Sequence, residues 1–418
     1  MKIIYLHQYF NIPSMSGGTR SYEMARRMVA AGHEVHMVTS SRESKNESAG
    51  WKTTIEAGIN VHWYSLPYSN HMTYRKRISA FLAFALSAQK KAATLQGDVV
   101  FATSTPLTIA IPAVFTARKL KVPLVFEVRD LWPEMPIVMG ALNNRFLQFL
   151  AKRLEKWAYN NSNAVVALSP GMKEGIISTG YAASKVAVIP NSSDNREFQF
   201  NAEAGEQFRV KRSWLGNKPL LVYTGTFGKV NGLDYMVKLA VELKKLNSDL
   251  RILLVGDGSE KSLVVREARE ANVLNDNLFF EHAIAKSEIP ALLSAATMAS
   301  ALFIDLPEMR SNSANKFFDA LAAGKPVFLN YGGWMHDLVK SNHCGFAAWQ
   351  EPIELVAKQL DEKIHDGEWL TNASTAARNL AVREFDRDKL AKQLILVLDE
   401  AVEDKDADVA SIAPGIYY

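Results

Sequence analysis

The sequence predicts an α/β protein made of two successive doubly wound domains, each a parallel sheet flanked by helices. Three observations carry this. Short β-branched and aromatic runs alternate with amphipathic segments of helix length along nearly the whole chain, which is the pattern of βα units. The alternation is interrupted by a polar stretch near residues 191–215 and then restarts. Glycine-rich sequences follow several strand-like runs where a helix should open. The length of 418 residues suits two or three domains, at roughly 100–200 residues per domain. Apolar residues at 48% and charged residues at 22% can fill sizeable cores and exclude a disordered chain.

In the first set, strands are expected at 2–6, 34–39, 60–65, 98–103, 123–128, 164–167 and 186–189. These are short, mostly apolar runs, as strands buried on both faces of a parallel sheet should be. Helical spacing of apolar residues marks 19–31, 75–95, 107–120 and 146–159. The sequence IPNSSD at 189–194 closes the set, because proline and small polar residues end a strand. The Glu-, Gln- and Asn-rich stretch that follows, to Arg212, suits an exposed linker.

The second set has expected strands at 219–224, 251–255, 277–280, 298–304 and 326–329, with helices at 233–246, 260–271, 287–295 and 315–323. Two further helical patterns lie at 372–381 and 387–403, and the tail 404–418 is expected to fray. The domains are therefore placed at 1–195 and 196–385, with a helix and tail at 386–418 packing back on the first domain. Two such sheets leave a cleft at the carboxyl ends of their strands, where doubly wound sheets bind ligands.

The single cysteine, Cys344, excludes a disulfide framework and any Cys-based zinc or iron–sulfur cluster, and fits a reducing cytosol. Residues 1–6 read as a strand rather than a secretory signal. The apolar stretches at 78–88 and 99–117 are too short or too interrupted to provide the about 20 apolar residues of a membrane span. A soluble chain is expected. The net charge of +4 hides an asymmetry: residues 1–195 carry 22 Lys and Arg against 12 Asp and Glu, and the remainder 26 against 32. A basic first half points to an anionic partner there, whether nucleic acid, anionic lipid or a phosphorylated metabolite.

Five segments can carry chemistry. Gly17-Gly18-Thr19-Arg20 opens a helix after the first strand, so its backbone could approach an anion at a helix N-terminus; the alternative is a plain tight turn. It is neither a dinucleotide fingerprint nor a P-loop. FEVRDLWPE at 126–134 crowds Glu127, Arg129, Asp130 and Glu134 at the end of an apolar strand. Such carboxylates can orient a hydroxyl-bearing substrate, or they can form a structural ion-pair network. YTGTFGKVNG at 223–232 and VGDGS at 255–259 are glycine-rich strand-to-helix turns, the first with Lys229. RSNSANKFFDALAAGKP at 310–326 opens a helix with small polar residues that leave N–H groups for a phosphate.

The region 68–91 brackets Ile78, Phe81, Leu82, Phe84, Ala85 and Leu86 with His71, Tyr74, Arg75, Lys76, Arg77, Lys90 and Lys91. That suits an interfacial membrane helix or a core helix with a solvated end. No metal-ligand spacing occurs, and His7 is a cleft candidate by position alone.

In this order, the pieces resemble the family 4 nucleotide-sugar glycosyltransferases of the GT-B fold, over nearly the whole chain. The details of 126–134 and of SNSANKFFD at 311–319 are similar to the bacterial O-antigen and capsule branch that includes N-acetyl-L-fucosaminyltransferases. The resemblance implies two Rossmann-like domains facing a cleft, the first binding acceptor and the second binding donor. It implies retention at the anomeric carbon without a metal or other cofactor. Gly17 and Gly18 would face the diphosphate, which the amides of Ser313, Ala314 and Asn315 would cap. Asp319 matches the second glutamate of the family's E-x7-E motif, the ribose ligand, and Ile284 falls where backbone holds the base. Ser311 replaces the first glutamate, Thr226 and Asn231 replace the turn Arg and Lys, and Arg129 replaces the usual His. The phosphate role then passes to Lys229 or Lys316.

The expected activity is transfer of an N-acetylated sugar from a UDP-sugar, with UDP-N-acetyl-L-fucosamine as the named candidate. The expected acceptor is a sugar on undecaprenyl pyrophosphate at the cytoplasmic face of the inner membrane. Asp130 or Glu127 would orient a hydroxyl, with Arg129 fixing the carboxylates. Alternatives are a GT-B epimerase or hydrolase, and a non-catalytic binding subunit. Nucleic acid is the weakest partner, because the basic residues belong to no recognisable module.

Overall fold

The computed structural model describes residues 1–15, 17–41, 50–66, 74–140, 142–404, 406 and 408–413, with only the backbone of 74–78. They form two compact units, Met1–Pro190 joined by the chain from Asp388 onward, and Asn191–Arg387.

The first unit holds strands β1 Lys2–Leu6, β2 Glu34–Ser41, β3 Trp51–Glu56, β4 Ile59–Ser65, β5 Val99–Thr103, β6 Leu124–Val128, β7 Ala164–Ala167 and β8 Val186–Val188. They lie in the order β3-β4-β2-β1-β5-β6-β7-β8. Only β3 runs antiparallel, to β4. β3 was not expected: its sequence WKTTIE is polar and half-exposed, because an edge strand with one solvated face carries no apolar run.

Alternation along β1 sends Ile3 and Tyr5 to one face and Ile4 and Leu6 to the other. On the first face, Met24 and Met28 of helix Arg20–Ala30 meet Leu390, Leu394, Val397 and Leu398 of helix Arg387–Glu403. The tail read as frayed continues that cover: Val409 and Ala413 are buried there, and Val188 N–H donates to the Ala413 carbonyl at 2.8 Å. The opposite face is covered by helices Tyr74–Ala92, Ala110–Leu120, Arg145–Asn160 and Pro170–Ser178, through residues such as Phe84, Ala113, Tyr159 and Ile176.

The second unit is a parallel sheet of β9 Leu220–Thr224, β10 Arg251–Val255, β11 Leu278–Glu281, β12 Met298–Ala301, β13 Val327–Leu329 and β14 Gly345–Ala347, in the order β11-β10-β9-β12-β13-β14. The stretch read as an exposed linker contains helix Ala202–Val210. Apolar periodicity missed it because backbone contact holds it. A Cβ on Gly205 would lie 2.9 Å from the Ser294 carbonyl carbon, and Arg209 donates to the Ala295 carbonyl. β12 ends at Ala301 rather than at 304, because the Asn330 side chain takes the Phe303 N–H and the Val230 carbonyl takes that of Ile304.

In each sheet the strand order reverses beside the first strand, between β1 and β5 and between β9 and β12. Ligands of open α/β sheets bind outside the carboxyl ends at such points. Because the helix after Asp388 completes the first core, Leu394→Ala should cost about 2–5 kcal/mol, measured as a lower urea midpoint for the first unit.

Candidate functional site

The carboxyl ends of β1, β5 and β6 gather the polar residues of the first unit. Glu127, in β6, is 0% exposed. Arg20 donates to its Oε1 from Nε and Nη2 at 3.0 and 2.8 Å, and Thr103 Oγ1 donates to its Oε2 at 2.6 Å. Arg20 also donates to the carbonyls of Ile189 and Pro190. Burial pushes the Glu127 carboxyl upward, but Arg20, Arg129 and Thr103 outweigh it and hold the group below the usual carboxylate range. Glu127 is therefore an ionised strut tying the start of a helix to the sheet and to the end of the unit. The expectation that it handles a substrate hydroxyl is corrected by this burial.

Arg129 and Asp130 occupy the turn beyond β6, both half-buried. Arg129 N–H donates to Ser104 Oγ at 3.0 Å, and its guanidinium lies 3.4 Å from His7 Nε2. Thr105 Oγ1 donates to Asp130 Oδ2 at 3.2 Å. Burial raises the Asp130 carboxyl, opposed by Arg129 and Thr105. Asp130, unlike Glu127, keeps solvent access. Gly17 and Gly18 are exposed in the loop after β1, where Asn11 Nδ2 donates to the Gly18 carbonyl.

In the second unit, the turns after β9 and β10 interlock. Gly225 N–H donates to the Val255 carbonyl, and a Cβ on Gly256 would stand 1.8 Å from the Gly225 oxygen, so only glycine fits. Asp257 accepts from Ala283 N–H at 3.0 Å and from Lys261 at 2.9 Å, which draws its carboxyl down to about 2. This pins the loop after β11, which carries Ile284, against the glycine turn.

The helix Asn315–Ala322 follows β12, with Ala314 at its N-cap and Ser311 at the end of the preceding turn. Its first N–H groups are free of intrahelical partners by position. Ser313 is buried, its Oγ accepting from Asn191 N–H and its carbonyl from Asn191 Nδ2. Asn315 is exposed at the mouth of the turn. Asp319 is half-buried and accepts from Ser193 Oγ at 2.8 Å; burial raises its carboxyl, opposed by Lys286, Ser193 and Arg387.

Of the two candidate lysines, Lys229 is exposed in its turn, whereas Lys316 reaches in toward Gly225. Its Nζ donates to Tyr223 Oη at 2.8 Å and lies 4.0 Å from the centre of that ring. Among the described residues it has no carboxylate partner, and burial brings its ammonium down to about 7. A cation in that position favours an incoming anion.

Sequence reasoning missed Arg20 as a partner of Glu127, and Tyr223, Ser193 and Asn191 as neighbours of the second site. Arg20 left a signal, since a cation at a helix N-terminus opposes the helix dipole and needs a reason. Tyr223 left none, being one aromatic in an apolar strand. Within 68–91, His71 and the side chains of Tyr74, Arg75, Lys76, Arg77 and Ile78 lie outside the described residues; Phe84 and Ala85 are core, while Leu82 and Leu86 are exposed. No described helix is long and apolar enough to cross a membrane, and no described cluster of His, Cys, Asp or Glu could hold a metal ion.

Glu127→Ala would strand the buried Arg20 charge, so it should cost about 3–5 kcal/mol in chemical denaturation. Asp130→Asn should leave the unfolding midpoint near that of the native chain.

Comparison with known proteins places this geometry. Residues 17–192 match the glycosyl transferase 4-like domain, and residues 205–380 match the glycosyl transferases group 1 domain. The putative colanic acid biosynthesis glycosyl transferase WcaI of Escherichia coli K12 is 24% identical, over 92% of this chain and 96% of its own. Among solved structures, sucrose-phosphate synthase of Thermosynechococcus elongatus superposes with a TM-score of 0.78 at 16% identity, covering 96% of this chain and 99% of that one. HepE of Anabaena, in complex with UDP-glucose, gives a TM-score of 0.70 at 16% identity, with coverages of 96% and 99%. The chain belongs to the glycosyltransferases of the GT-B fold, with a glycosyl transferase 4-like domain followed by a group 1 domain.

Proposed function

We propose that the chain is a retaining glycosyltransferase of bacterial surface polysaccharide biosynthesis, moving an N-acetylated sugar from UDP to a sugar carried on a polyprenyl pyrophosphate. The observation that carries the donor side is Lys316, a half-buried ammonium with no carboxylate partner among the described residues, beside two interlocked glycine turns and a helix N-terminus. A diphosphate supplies the missing counter-charge. Support for UDP comes from HepE, which was crystallised with UDP-glucose, and support for the pathway class from the name of WcaI. The lipid-linked acceptor and the N-acetyl-L-fucosamine donor rest on the resemblance of 126–134 and 311–319.

In this reading, Asp319 accepts a hydrogen bond from the ribose and the loop at Ile284 holds the base. The amides of Ser313, Ala314 and Asn315 face the diphosphate, a role the resemblance also gives to Gly17 and Gly18. As the bond from the anomeric carbon to the phosphate oxygen breaks, charge grows on that oxygen, where Lys316 and the helix dipole stabilise it. The acceptor hydroxyl, oriented by Asp130, bonds to the same face of that carbon. Its proton passes to the departing phosphate, and UDP leaves. Arg129 opposes the burial that raises the Asp130 carboxyl. No metal is required, because the chain's own cation and amides meet the charge.

Thermal shift with UDP, GDP and their sugar derivatives tests the donor: ligand at about 100 Kd adds roughly 2.7 kcal/mol. A shift with UDP and none with GDP is expected, and no shift with any nucleotide would sink the reading. Lys316→Met should weaken UDP binding at least tenfold. The sign with pH follows from the free ammonium lying near 7. A bound diphosphate raises it, so affinity is full below that pH and falls as pH rises through it. Calorimetric titration across this range should show that loss in the native chain and not in Lys316→Met.

A further inference from the structure

Helix Arg145–Asn160 carries more apolar surface than its unit covers. Asn144 caps it, accepting from the N–H groups of Phe146 and Leu147. Glu155, Ala158 and Tyr159 are buried against the sheet. At about 100° per residue, Phe146 and Arg153 point away from that stripe, with Phe149 and Leu150 about 50° to either side. Phe146 is 65% exposed and Phe149 54%. A core-facing helix needs only its buried stripe, so the exposed Phe146, Phe149 and Leu150 have no use inside this unit. Phe115, exposed on helix Ala110–Leu120, widens the patch; its ring lies 6.1 Å from that of Trp157.

The charge around this patch has a single sign. Arg145, Lys152, Arg153 and Lys156 are exposed on the same helix, and Arg118 and Lys119 on the neighbouring one. The helix's one acid, Glu155, turns inward, where Tyr159 Oη donates to it at 3.1 Å. Burial, with Glu134 beside it, pushes its carboxyl up to about 8, while Lys152 acts the other way. At neutral pH the outer face therefore presents apolar surface and positive charge alone. A second copy of the chain would set like charges against each other across a twofold axis. Anionic lipid phosphates meet both features.

We propose that this face is the docking surface for an anionic bilayer, with Phe146, Phe149 and Leu150 in the headgroup boundary and the basic residues on lipid phosphates. Its purpose rests on the lipid-linked acceptor proposed above, but its test needs no transfer reaction. The contact lies on helix 145–160 rather than on the 68–91 region marked by sequence.

The experiment is co-sedimentation of the full chain with vesicles of phosphatidylglycerol and phosphatidylcholine, or of phosphatidylcholine alone. Binding to the anionic vesicles is expected, weakened by salt. Phe146→Ser with Phe149→Ser should reduce it at least tenfold, and Lys152→Glu with Arg153→Glu likewise, each with an unchanged Tm and UDP shift. Leu82→Ser with Leu86→Ser should change it less than threefold. The proposal falls if the native chain shows no preference for anionic vesicles, or if both variants on helix 145–160 bind as it does. It also falls if sedimentation velocity shows a dimer that Phe146→Ser with Phe149→Ser dissolves. A retained UDP shift beside absent vesicle binding would sink this surface alone, and the converse would sink the donor reading alone.

Discussion

A parallel sheet that grows in both directions from its first strand must part the connections leaving that strand and its neighbour. That constraint places Gly17, Gly18, Lys316 and the opening of the helix at Asn315. In the first unit the parting lies between β1 and β5, with Gly17, Gly18 and His7 on one side and Ser104 and Thr105 on the other. In the second it lies between β9 and β12, where the glycine turn and the helix opening at Asn315 come from opposite sides. The strands need only be apolar and short. The chemistry sits in whatever sequence leaves their carboxyl ends.

Burial is used at these ends in three ways. Glu127 is buried with a full set of partners, so it stays charged and is structural. Asp130 is half-buried with Arg129 and Thr105 nearby, which leaves a carboxylate able to exchange partners. Lys316 is half-buried beside a tyrosine hydroxyl, with no carboxylate partner among the described residues, and desolvation brings its ammonium down to about 7. All three residue types were visible in the sequence. Their roles differ because of neighbours more than a hundred positions away or on another strand, and no local pattern reports those.

The parallel strands were legible because continuous apolar runs bounded by turns have few other meanings. β3 and β14 were not, the one being polar at an edge and the other only three residues long. Helix Ala202–Val210 was missed because glycine and an arginine-to-carbonyl bond anchor it. Of the site, the glycine turns and the opening of helix 315–322 were readable from composition, since backbone approach demands small residues. The choice between Lys229 and Lys316 was not, because it depends on which side chain folds inward beside Tyr223. Within 126–134, Glu127 has the partners of a structural ion pair while Asp130 accepts from Thr105 Oγ1, a difference set by three residues along β6 and its turn.

The first unit draws its core from both sides of the second: residues 1–190 supply the sheet, and helix Arg387–Glu403 with Val409 covers one of its faces. During synthesis the sheet must therefore wait while the whole of 191–387 emerges, on the order of 10–40 s at about 5–20 residues per second. Throughout that interval Ile3, Tyr5, Val35 and Met37 lack their last covering helix. The contiguous second unit can close as soon as it clears the ribosome, so maturation runs in the reverse of chain order. The nascent chain offers a chaperone a defined apolar face for a defined time.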